Sequence, residues 1–181
     1  MKSFFPFTLL IILLLLAMIT QDVLPSMPFF GQTHLILVPM IFCFAALALP
    51  FPFALLFALV TGVLQGLMVM SFHHGHVEIR LGWFIFFFII WAVLLQFLSD
   101  RTDGVRWELH ALGSGLCTAS FLFGEFFLLS FSRGHFSITD TVLLLALIPG
   151  GIALFIAPLF YAVLQFLLPP AKPLRVSHLS L

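Results

Sequence analysis

The chain has 181 residues, no formal net charge, 62% hydrophobic side chains and only 8% charged ones. A mean hydropathy of +1.24 excludes an ordinary water-soluble domain. Seven basic and seven acidic side chains leave no electrostatic footprint for nucleic acid.

Six apolar stretches are predicted to cross a bilayer, and six spans of about 20 residues consume roughly 120 residues. What remains makes short loops and tails, so one six-helix transmembrane domain (1–170) and a short tail (171–181) are expected. The first span, 4–20, follows Lys2 in the manner of a secretory signal. The segment Met18-Ile19-Thr20-Gln21-Asp22 offers no small-x-small cleavage site, so the stretch is read as an uncleaved span. A loop holding Asp22, Pro25, Ser26, Pro28 and Gly31 follows. The second span is 34–49, with Pro39 near its start, and Pro50 and Pro52 then enforce a tight turn. The third span, 53–72, is separated from the fourth, 81–98, by a polar insert over 73–80. Charges in 99–108 make that segment an aqueous loop. The fifth span is 109–131, and the sixth is 141–168, tilted or broken at Pro149-Gly150-Gly151 or Pro158. No repeat of fixed period is visible.

Basic residues set the orientation. With the N-terminus inside, Lys2, Arg101, Arg106, Lys172 and Arg175 are cytoplasmic, and only Arg80 and Arg133 lie outside. Both termini are therefore expected in the cytoplasm, with Trp83 and Trp107 near opposite interfaces.

Lipid provides no hydrophobic push between helices, so their association rests on close backbone approach. Ala54, Ala58, Gly62 and Gly66 recur every four residues and form one smooth stripe on the third span. Ala111, Gly115 and Ala119 repeat the pattern on the fifth. Such stripes pack either within the chain's own bundle or against a helix of another membrane protein. Glu125 is the carboxylate well inside a span, where exposure to lipid is costly, so it should face the bundle or be protonated. Gln65 lies at similar depth and is its expected hydrogen-bond partner, with Ser120, Thr61 and Arg133 as alternatives. The readings open for Glu125 are a local polar clamp, a proton or cation site, or a partner contact.

His34, His73, His74, His76 and His135 gather on the outer side, with Glu78 beside the densest group. His-x-His spacing can ligate a transition metal, yet a short His- and Gly-containing insert fixes no geometry by itself. An ordinary polar turn is expected, with no metal site. Cys43 and Cys117 are read as packing residues rather than as a disulfide or a metal pair. The chain has no Gly-x-Ser-x-Gly, no His-Glu-x-x-His and no phosphate-cradling glycine loop. Ser114, between Gly113 and Gly115, is explained by packing. No enzymatic activity and no cofactor are expected.

The order of these features resembles the rod shape-determining MreD family over about residues 1–170. Carrying the likeness are Leu24-Pro25 through Gly31-Gln32, Leu35-Ile36-Leu37-Val38-Pro39, and Leu59-Val60-Thr61-Gly62-Val63-Leu64-Gln65-Gly66-Leu67. Arg80-Leu81-Gly82 and Ala157-Pro158-Leu159-Phe160-Tyr161 complete it. The family often places an acid at the end of its third-span segment, where this chain has Gly66 after Gln65. The resemblance implies a non-enzymatic inner-membrane component of the cell-elongation machinery, which helps organise peptidoglycan synthesis and cell shape. It implies MreC, RodA and a penicillin-binding transpeptidase as partners, and MreB indirectly. That family's fold also looks similar to the substrate-binding membrane subunits of energy-coupling-factor transporters, so uptake of a vitamin or metal cation is the competing expectation. Those subunits usually carry Ala-x-x-x-Ala in their first span, where this chain has only Ala17.

Overall fold

The computed structural model describes residues 4–23, 36–69, 71–73, 76–78, 81–102, 107–132 and 140–168. Among these are six helices: α1 (Phe4–Val23), α2 (Val38–Ala48), α3 (Phe51–Met68), α4 (Leu81–Arg101), α5 (Trp107–Ser132) and α6 (Asp140–Leu167). Five of them are long and apolar enough to cross a membrane. The exception is α2, whose 11 residues rise only about 16 Å, against a hydrocarbon core of about 30 Å. Within the predicted second span, 34–49, α2 begins at Val38, after the non-helical Ile36 and Leu37. Pro39 fits that start, because the first turn of a helix needs no donor from its nitrogen.

The polar insert between α3 and α4 is not an irregular turn. It contains a two-stranded antiparallel hairpin, β1 (Ser71–His73) and β2 (His76–Glu78), with His73 paired to His76. His34, His74 and His135 lie outside the described residues, as do Arg80, Arg106 and Arg133. The expected loop over 99–108 is shorter than predicted, because α4 continues to Arg101 and α5 begins at Trp107. Past the fourth span, Arg101 stacks its guanidinium 5.0 Å from the centre of the Phe97 ring.

Neighbouring helices alternate in direction. Phe7, near the start of α1, meets the rings of Phe53 and Phe57 near the start of α3. The end of α3 meets the start of α4, Leu95 late in α4 meets Gly113 early in α5, and His110 in α5 meets Tyr161 late in α6. Thus α1, α3 and α5 run one way, and α4 and α6 the other. The turn from α2 to α3 is tight because Pro50, at φ −62° and ψ 149°, cannot continue a helix, yet its carbonyl accepts from Phe53 and Ala54.

The core forms around α2. Every residue from Val38 to Leu47 is buried, whereas the longer helices alternate buried and exposed positions. Phe42 packs edge-on against Phe88 of α4, and Phe44 lies against His110 of α5 and Tyr161 of α6. Outward, the other helices expose large apolar side chains such as Phe86, Phe155 and Phe166. In a bilayer those faces belong to lipid. The sixth helix runs unbroken through Pro149 and Pro158.

Gly62 sits where a Cβ would lie 2.6 Å from the Cα of Ile85, whereas nothing lies within 4 Å of a Cβ at Gly151. Gly62→Leu should therefore separate α3 from α4 and cost at least about 1–3 kcal/mol. Gly151→Ala should instead raise stability by about 0.5–1 kcal/mol. Thermal unfolding of the detergent-purified protein measures both.

Candidate functional site

The two small-residue stripes are occupied by the chain's own helices. Ala54, Ala58, Gly62 and Gly66 are all buried, and a Cβ on Gly66 would come within 3.2 Å of the Cα of Leu81 in α4. On α5, Ala111 and Gly115 are buried and Ala119 is half-buried. Gly115 faces Gly150 and Leu154 of α6, and Gly150 faces Ala119 in return. The α6 half of this clasp escaped the sequence reading, although Ala146 and Gly150, like Ala153 and Ala157, carry the same four-residue spacing. All four are buried.

Polar groups at bilayer depth are mostly satisfied by their own helices, as a solvent without hydrogen bonds demands. The hydroxyl of Thr61 donates to the Phe57 carbonyl at 2.8 Å, and that of Ser120 to the Leu116 carbonyl at 2.7 Å. Neither hydroxyl is directed at Glu125, and Arg133 lies outside the described residues. Glu125 itself is half-buried on α5. Next to it, Gly124 takes the ring of Trp83, whose Cζ2 would lie 2.5 Å from a Cβ there. Gln65 is 4% exposed, and its Oε1 accepts no hydrogen bond among the described residues. The Nε1 of Trp83 likewise has no partner among the described residues.

A second group of polar side chains converges on the backbone of α2, and periodicity did not reveal it. The Leu37 N–H donates to Oε1 of Gln21 in α1 at 3.2 Å. Nε2 of Gln96 in α4 donates to the carbonyls of Ala46 and Leu49, the latter at 2.8 Å. Nε2 of His110 in α5 lies 3.0 Å from the Met40 carbonyl. Three helices thus each supply one side chain to the backbone of the enclosed helix: Gln21 and Gln96 reach end groups that an intrahelical ladder leaves open, and His110 reaches the Met40 carbonyl in the first turn.

Around His110 the α2–α5–α6 junction gathers Cys43, Ser114, Cys117, Thr118 and Tyr161, all buried. The side chains of Cys43 and Cys117 lie near one another across α2 and α5, and both are free. Burial suits their reading as packing residues; their closeness across two helices was not foreseen. On α5, His110, Ser114 and Thr118 lie four residues apart, a spacing that marks one face. Unlike the histidines of the predicted loops, His110 lies inside a span and is buried. The Nδ1 of His110 and the Oγ of Ser114 have no hydrogen-bond partner among the described residues.

Compared with protein-family profiles, curated proteins and solved structures, the chain matches none.

Gln96→Leu removes both donors to the last turn of α2 and leaves two carbonyls wanting. The expected loss is about 1–3 kcal/mol, read as a lower unfolding midpoint in detergent. An unchanged midpoint would show that these bonds do not hold α2.

Proposed function

We propose that this chain is a non-enzymatic scaffold of the bacterial inner membrane that contributes to the cell-elongation complex and to the organisation of peptidoglycan synthesis. One observation carries the reading. The small-residue stripes are spent inside the bundle, so what the described helices offer a partner is their outward ridges of large apolar side chains. A protein with so little outside the membrane acts through helix–helix contact. The likeness to the MreD family supplies the specific identity, with MreC, RodA and a penicillin-binding transpeptidase as direct partners and MreB as an indirect one.

In this reading α2 counts as a crossing, which makes six spans and brings both termini to the cytoplasmic side. The alternating helix directions and the excess of Lys2, Arg101, Arg106, Lys172 and Arg175 over Arg80 and Arg133 support that orientation. The competing reading is a substrate-binding subunit for uptake of a vitamin or metal cation. What favours it is the buried acceptor of Gln65 and the buried donor of Trp83, both toward the hairpin end of the bundle.

The test places photo-crosslinking residues at Phe86, Phe155 and Phe166 in cells of a rod-shaped bacterium lacking its own MreD. Adducts with MreC or RodA, together with restored rod shape, are expected. Round cells and no such adduct from any of the three positions would contradict the scaffold. A raised unfolding midpoint with a vitamin or divalent metal would then favour uptake.

A further inference from the structure

We propose that the α2–α5–α6 junction is a binding site for a single water molecule, held between Nδ1 of His110 and Oγ of Ser114. The tautomer follows from the other ring nitrogen. Nε2 lies 3.0 Å from the Met40 carbonyl, which can only accept, so Nε2 carries the proton. In the neutral ring Nδ1 is then a bare lone pair that requires a donor. Ser114 follows one turn later on the same face, and helical side chains lean toward the N-terminus, which directs its hydroxyl toward the imidazole. Both residues are fully buried, and neither of these atoms has a partner among the described residues.

A lone pair and a hydroxyl stranded in hydrocarbon cost more than the ordering of one water that satisfies both. The water donates to Nδ1 and accepts from the Ser114 hydroxyl. Two such partners lie within the range that holds a buried water. The antiparallel register that sets Gly115 against Gly150 and Leu154 places the small, buried side chains of Ala153 and Ala157 on the stretch of α6 that follows toward the start of α5. The ligand is neutral. Among the described residues no three His, Cys, Asp or Glu side chains gather to hold a metal ion, and an unpaired ion at this depth is costly. This hydration is independent of the scaffold reading and survives its failure.

Hydroxyl-radical footprinting by X-ray radiolysis of the full-length protein in nanodiscs tests the site, because radicals form from bound water and attack neighbouring reactive side chains. Met40, Cys43 and Cys117 are such side chains, and all are 0% exposed. Met18 of α1, at 2%, is the dry reference. Oxidation of Met40 several-fold faster than that of Met18 is expected, falling to the Met18 rate in Ser114→Ala, with the Cys117 rate falling by the same factor in that variant. A Met40 rate no faster than that of Met18 in the wild type would overturn the proposal without recourse to any variant. So would a Ser114→Ala protein with undiminished rates and a higher unfolding midpoint, the behaviour of a dry, unpartnered hydroxyl.

Discussion

A helix enclosed by other helices cannot send its end groups to water, and the whole bundle is organised by that constraint on α2. In soluble proteins the open N–H and C=O groups of a helix terminus reach solvent or a capping side chain. Here Leu37 has no side-chain cap to offer, and both ends of α2 meet protein. The neighbours supply what is missing, Gln21 an acceptor and Gln96 two donations, while His110 adds a donation to the Met40 carbonyl in the first turn. Each of these side chains must stand at one depth and one rotation to do so, which fixes α1, α4 and α5 around the strut. Geometry of this kind gives the fold a register that greasy surfaces alone would not specify.

Packing then proceeds outward by two different means. Where α3 meets α4 and α5 meets α6, glycines bring backbone against backbone, and these are the most extensive contacts between elements. Where α4 and α5 flank α2, phenylalanines fill the space instead, with Phe84, Phe87, Phe88 and Phe121 stacked on one another. Close backbone approach and bulky fill are complementary answers to a solvent that exerts no hydrophobic push. The outermost surface is left to Phe86, Phe155, Phe166 and their neighbours, which suits lipid and suits another membrane helix equally well.

Much of this was legible because hydropathy in a bilayer is a strong signal. The long spans fall close to their predicted limits, and the four-residue spacing from Ala54 to Gly66 marked a face that is indeed buried. Spacing cannot say what covers a stripe, however, and both stripes are covered from within. The true length of α2 was hidden, since 34–49 is apolar enough for a crossing while its helix starts only at Val38. The hairpin between α3 and α4 was missed because six paired residues leave too short a pattern. Gln96 and His110 were invisible for a deeper reason: their partners are backbone atoms some 50 and 70 positions away, and a side chain that serves a distant carbonyl leaves no period in the sequence.

The enclosure of α2 can be tested directly with a photoactivated carbene reagent dissolved in the lipid of proteoliposomes, with the labelled residues mapped by mass spectrometry. Heavy labelling at Phe86, Phe155 and Phe166 is expected, with none at Phe42 or Phe44. Labelling of Phe42 or Phe44 to the same extent as Phe155 would place α2 against lipid and contradict the architecture described here.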